Sequence, residues 1–365
     1  MGSSLRWHVR TNLAIALIGG LLGCLGAGCQ SLAYYCQAAR GQCDMLIGHR
    51  EVADILDDPA ESDALKARLR LAMELREFAQ TQLGLPAEGS YLTYKHLDRP
   101  HSVWVVTASH EFSTELETWW YPVVGRFSAR SFFNKADADA CAQRLRQERF
   151  EVHVGGARAY STLGWFRDPL LSTFIHDPDT ELAELLFHEL THRRLFIAND
   201  TTFNESMATA VGQEGVRRWL LSRKDAPTLQ KYEQSLRRQR QFVELIASTR
   251  EQLQRLYVSG LRPEEMRTQK QAVHSRMKDR YEELKVGWGG HTAYDPWFAH
   301  PPTNPRMAGI ATYYAHLPAF EALLRQCNGD LNQFFAEAES MGKAPSAIRK
   351  SRLLGLTQRA PLSTK

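Results

Sequence analysis

The 365-residue sequence is short of the features that assign a chain to a class by composition alone. Neither sign of charge dominates, since 45 Lys and Arg face 41 Asp and Glu for a net +4. The basic residues are scattered among acidic ones, so no cationic surface for nucleic acid is expected. Cysteine is sparse, six in all, and none stands in CxxC spacing. A dithiol redox motif and a cysteine-based zinc cluster are therefore unsupported. No internal repeat and no low-complexity linker breaks the chain, which argues against a solenoid or a string of modules. What remains is ordinary globular composition, 43% hydrophobic and 24% charged, on a chain long enough for a large core.

The first 28 residues stand apart from that core. Arg6, His8 and Arg10 precede an apolar stretch from Leu13 to Leu25, the order of a secretory signal. The apolar stretch is short for a membrane span and leads through small residues, LGAG, to Cys29. This looks like a bacterial lipoprotein cleavage site, with Cys29 the acylated new N-terminus. Cys24 is the competing site and has the usual leucine three residues upstream, but soluble-looking sequence begins directly after Cys29. The expectation is an exported body in the bacterial cell envelope or periplasm, held to the membrane by a lipid on Cys29. In such a compartment Cys36, Cys43, Cys141 and Cys327 could form disulfides. Cys36 and Cys43, seven apart on a helix, would lie about 10 Å apart along the axis, beyond the reach of one.

Within the body, residues 31–84 place Leu56, Leu65, Leu69, Leu71, Leu75 and Phe78 at helical spacing, closed by LGLP. The texture then changes to SVWVVTAS and WWYPVVGRF, and a helical stretch from Ala136 to Arg149 leads into EVHVGG. This predicts a small mixed sheet with one helical crossover. Two helices follow, one carrying FHELTHRRLF and one from Phe203 to Leu220. Residues 225–285 are charged and helical with a break at SGLRPEE, predicting an inserted antiparallel hairpin whose charges form a solvated face. The expected fold is α+β and mostly helical, with residues 29–365 as one domain.

The chemistry lies in HELTH, residues 188–192, which matches HExxH. Four residues on an α-helix turn only about 40° beyond a full revolution, so His188 and His192 converge on one point. Glu189 lies on the same side, where it can take a proton from a zinc-bound water without ligating the metal. Two imidazoles and an oxygen ligand suit Zn²⁺ with one position left open. Burying these three side chains among leucines without a metal would cost several kcal/mol. Asp177 and Pro178 offer an N-cap and first position, and Arg193 and Arg194 favour the C-terminus. For the third ligand the next helix offers Glu205, which borders the stripe of Met207, Ala208, Val211 and Val216. Glu214, the competitor, is about 180° away around the axis.

HELTH followed by NES on the next helix resembles the glutamate-ligand branch of the HExxH zinc metallopeptidases, the gluzincins. The longer strings AYSTLGWFRDPLLSTF, FHELTHRRLF and DTTFNESMATAVGQEG, with AYYCQAARGQ near the start, resemble a bacterial family of aminopeptidases, often lipoproteins. The resemblance covers nearly the whole body. It implies a zincin-like domain and a zinc peptidase with His188, His192 and Glu205 as ligands and Glu189 as general base. Two departures stand out: the spacing to Glu205 is shorter than in thermolysin-like enzymes, and the position four beyond it is Thr209 rather than an Asp supporting a ligand histidine. Asp200 and Asp168 are the alternatives for that support.

The resemblance also implies a substrate-pairing edge strand just upstream of the metal helix, lined by Tyr160, Ser161 and Thr162. It implies a downstream Tyr or His as oxyanion donor, for which Tyr313 and Tyr314 are the candidates, with His291 behind them. An aminopeptidase further needs an acid for the peptide's α-amine, and Asp168, Asp295 and Glu151 are the alternatives. The expected activity is removal of N-terminal residues from peptides. The rivals are an envelope endopeptidase or amidase, and a non-catalytic scaffold lipoprotein stabilised by zinc.

Overall fold

The structure, a computed structural model, describes residues 29–121, 125–159, 167–300 and 302–359. The expected leader, residues 1–28, and the expected substrate strand at Tyr160, Ser161 and Thr162 lie outside the described residues. Among the described residues no helix is long and apolar enough to cross a membrane.

Three helices open the body: α1 (Cys29–Leu46), α2 (Val52–Asp57) and α3 (Asp63–Gln82). In α3, Ser62 caps the first turn by accepting from the Leu65 amide at 3.2 Å, and the residues at helical spacing, Leu69, Ala72, Leu75 and Ala79, are all buried. Cys36 and Cys43 both lie on α1, and all four body cysteines are free thiols.

The strands form three small sheets rather than one. β1 (Arg50–Glu51) pairs antiparallel with β2 (Thr93–Lys95), which pairs in parallel with β8 (Leu170–Leu171). β3 (Val103–His110) is the centre of an antiparallel sheet, flanked by β6 (Arg130–Phe132) and β7 (Phe150–Ala157). β4 (Trp119–Tyr121) and β5 (Gly125–Phe127) pair only with each other. The expected helical crossover is α4 (Lys135–Gln147), which carries the chain from β6 over β3 to β7. Its buried Ala138, Cys141, Ala142 and Leu145 cover Val106, Ala108 and Val152 of that sheet.

The centre of the molecule is a pair of helices, α5 (Asp179–Arg194) and α6 (Thr201–Ser222). α6 is buried along most of its length, whereas α5 buries Leu182, Ala183, Leu186, Phe187 and Leu190 on one side and turns Glu181, Glu184, His188 and Glu189 to another. Gly212 and Gly215 on α6 let them approach closely. A Cβ at Gly212 would stand 3.0 Å from the Glu184 carbonyl oxygen, and one at Gly215 2.6 Å from a Phe187 ring carbon. Asp200 caps α6, accepting from the Phe203 amide at 3.1 Å. At the start of α5 the expected cap differs. Pro178 holds that position without a side-chain bond, and Asp177 turns instead to the Arg158 guanidinium. Arg68 of α3 anchors this end, donating to the Ile175 carbonyl at 2.8 Å.

The inserted hairpin is α7 (Ala226–Tyr257) and α8 (Pro263–Gly287), with its own core of Phe242, Ile246, Leu253, Val273 and Met277. A short α9 (Asp295–Phe298) packs on it. Helices α10 (Asn304–Tyr314), α11 (Leu317–Gln326), α12 (Leu331–Lys343) and α13 (Ser346–Arg359) complete the chain. Phe320 of α11 meets Phe203 of α6 edge to face, with centroids 4.9 Å apart. This joins the last helices to the central pair.

Candidate metal centre

His188 and His192 stand one turn apart on α5, and Glu205 lies in the first turns of α6 opposite them. His188 Nε2 is 3.1 Å from Glu205 Oε2, His192 Nε2 is 3.2 Å from His188 Nε2, and His192 Nε2 is 3.7 Å from Glu205 Oε2. Among the described residues this is the one His, Cys, Asp and Glu group able to hold a metal ion. Tetrahedral coordination with bonds of about 2.0–2.1 Å sets ligand atoms about 3.3–3.4 Å apart, close to the three edges of this triangle. The donor set therefore fits zinc. His192 is buried, and its Nδ1 has no hydrogen-bond partner.

The protein's own charges tune the triad. Burial opposes charge on Glu205, but hydrogen bonds from His188 and His192 outweigh it and hold the carboxyl down at about 2. Burial would lower His188, yet the Glu205 hydrogen bond and the charges of Glu189, Glu205 and Glu184 carry it above the ordinary imidazole value. Glu189 is no member of the triangle. Burial pushes its carboxyl up, with His188 and His192 pulling it partly back.

His188 of the triad, with Glu189 beside it, lines a cleft of about 770 Å³ walled by α5, by the N-terminal half of α7, by Tyr313 and Tyr314, and by Ala157–Ala159 at the end of β7. Tyr313 and His188 have ring centroids 6.1 Å apart. Tyr313 stands in the cleft wall and is 44% exposed. Burial and the charges of Glu205 and Glu189 push its phenol up, so it stays protonated. Tyr314 lies further along, its hydroxyl accepting from Gln239 Nε2 at 3.0 Å.

Several expected residues are placed elsewhere. Glu214 faces away from the histidines and pairs with Arg218 at 2.8 Å. Thr209 donates its hydroxyl to the Glu205 carbonyl at 2.8 Å, an i−4 bond along its own helix. Asp200, besides capping α6, pairs with Arg349 at 2.8 Å, so it supports no ligand histidine. Asp168 is buried within electrostatic reach of Glu189 and Tyr91. Glu151 accepts from Lys270 and from the Asn304 amide, and Asp295 from Tyr281 and Lys285. Neither acid lines the cleft, and neither does His291, whereas Tyr294 does.

One acid went unnoticed in the sequence: Glu184, one turn before His188 on the same face of α5. Its Oε2 accepts from the Tyr232 hydroxyl of α7 at 2.7 Å, Gln213 also bonds it, and burial raises its carboxyl. Gln213 in turn donates to Gln239 at 2.9 Å. The signal for Glu184 was available, an acid four residues ahead of the first histidine in a leucine run. Tyr232 and Gln239 gave none, because only the tertiary fold brings α7 beside α5.

Residues 33–353 match the family described as Putative aminopeptidase. The chain belongs to that family. No curated protein and no solved structure matches it. The match spans α1 through most of α13 and so takes in the triad, both walls of the cleft and the hairpin.

Proposed function

We propose that the protein is a zinc-dependent peptidase that removes N-terminal residues, with His188, His192 and Glu205 as ligands and Glu189 as general base. The observation that carries this reading is the triangle of donor atoms, its edges close to those of a tetrahedral zinc site, beside a cleft that His188 and Glu189 line. When bound there, zinc would polarise the peptide carbonyl and make water acidic enough to give up a proton near neutral pH. Glu189 beside the triad takes that proton from the attacking water and passes it to the leaving amine. Tyr313, protonated and next to His188, donates a hydrogen bond to the oxygen on which negative charge develops. Among the described residues β7 is an edge strand of its sheet, and Ala157 at its end lines the cleft; an extended peptide would pair with the segment that follows in sequence, at Tyr160, Ser161 and Thr162. Export, with a lipid on Cys29, belongs to the same proposal.

Glu189→Gln tests the reading. Zinc content and folding should match the parent protein while hydrolysis of aminoacyl fluorogenic substrates falls by at least about 100-fold. Unchanged hydrolysis would remove Glu189 as the base. A parent protein that binds zinc and hydrolyses no peptide, free or blocked, would favour the scaffold reading instead.

A further inference from the structure

Three acids line the cleft: Glu181, Glu184 and Glu189. Glu189 is the proposed base. Glu181 is exposed at the rim and already faces Arg158 at 3.7 Å. Glu184 differs from both. Its hydrogen-bond partners, Tyr232 and Gln213, are neutral, and burial raises its carboxyl; the charges of His188 and Arg217 oppose that rise, but among the described residues no cation forms an ion pair with it. The cations lining the same cleft do not neutralise it. Arg158 is turned to Asp177 and Glu181, and Lys231 is exposed at the mouth.

The position of Glu184 relative to the triad sets what would bind it. Residues four apart on a helix have Cβ atoms about 5–6 Å apart on one face. In an amino acid the α-nitrogen lies about 3 Å from its own carbonyl oxygen, and a charge-assisted N–H···O bond adds about 2.8 Å. Glu184 and His188 project from one face of α5 into the same part of the cleft, and a substrate residue whose carbonyl lay at the triad would therefore present its α-ammonium on the side of the Glu184 carboxylate. We infer that Glu184, oriented by Tyr232 and Gln213, receives the free α-ammonium of the substrate, so that the cleft takes unblocked peptide N-termini and removes one residue at a time. This rests on the peptidase reading above, and it assigns the amine to none of Asp168, Asp295 or Glu151.

The test compares leucyl and N-acetyl-leucyl fluorogenic amides as substrates, and leucinamide and N-acetyl-leucinamide as calorimetric ligands, for the zinc-loaded full chain. Parent protein, Glu184→Gln and Tyr232→Phe are measured, with melting temperature and zinc content as controls for folding. The parent should cleave the leucyl substrate at least about 100-fold better than the acetylated one. Glu184→Gln should lower kcat/KM for the leucyl substrate about 100-fold, mainly through KM, and bring the free-to-blocked ratio near one. Tyr232→Phe, which keeps the carboxylate and loses only its orienting bond, should fall between. A ratio unchanged in Glu184→Gln overturns the assignment and leaves the peptidase reading standing, and a parent that prefers acetylated substrate overturns both the assignment and the removal of N-terminal residues while leaving peptide hydrolysis standing. Leucinamide binding that depends on Glu184 in a protein that hydrolyses nothing would sink the peptidase reading and keep the amine site. No hydrolysis together with no preference for leucinamide sinks both.

Discussion

Replacing Tyr313 by Phe removes one hydroxyl and nothing else from the wall beside His188. Ring packing against the imidazole survives, so zinc content and melting temperature should hold. If that hydroxyl meets the developing oxyanion, kcat should fall about 10²–10³-fold with KM little changed, the cost of losing one such donor. An unaltered kcat would return Tyr313 to packing. Tyr314→Phe makes the contrast, because its hydroxyl is already engaged by Gln239, and its effect on kcat should be much smaller. At this scale the sequence was informative where spacing alone decides. His188, Glu189 and His192 follow from helical periodicity, and Glu205 from the face it borders. The two tyrosines could not be ranked from sequence, since adjacent residues on a helix point about 100° apart and only the packing shows which meets the triad.

The α5/α6 contact is the element on which the triad depends, because the two histidines and the glutamate come from different helices. Gly215 sits where any Cβ would strike Phe187 and Leu83. Gly215→Ala should therefore cost about 1–3 kcal/mol despite alanine's better helix propensity, read as a lowered melting temperature. Gly287→Ala at the end of α8, where nothing lies within 4 Å, is the control and should be near neutral. Equal stability of the two variants would mean that the helices are not held at this separation. Element boundaries were legible where polarity and caps agree, as for α4, the hairpin and the end of α3, while the single helical section expected over residues 31–84 is three helices. They failed at Asp177, whose carboxylate is drawn to Arg158 by a contact 19 residues back in the chain. The single sheet expected from the aromatic and valine runs is two, β6–β3–β7 and β4–β5, and a third, β1–β2–β8, comes from short segments outside those runs, because β-rich segments do not encode their partners. The hairpin was correctly expected as helices, but Tyr232, Leu236 and Gln239 on its first helix wall the cleft, and nothing local distinguishes a wall from a solvated face.

Across the whole molecule, acid sensitivity separates the structural histidines from the metal site. Burial, with Arg306 repelling one and Lys270 the other, holds His153 and His274 down at about 4. Between pH 6.5 and 4 the unfolded chain therefore binds protons that the folded chain refuses, and stability falls as pH falls through that window. The double variant His153→Gln/His274→Gln should show a shallower loss of melting temperature between pH 7 and 5 than the parent. An equal slope would show that both imidazoles take up protons freely in the fold. Metal affinity should weaken over the same range for a different reason, since protons compete for His188 and His192. The claim on which the site depends is tested most directly by elemental analysis of the purified chain and of Glu205→Ala, both dialysed against trace zinc. About one zinc per parent chain and a large loss in the variant are expected. A parent that takes up no zinc, or a variant that keeps its full complement, would contradict a site built from His188, His192 and Glu205.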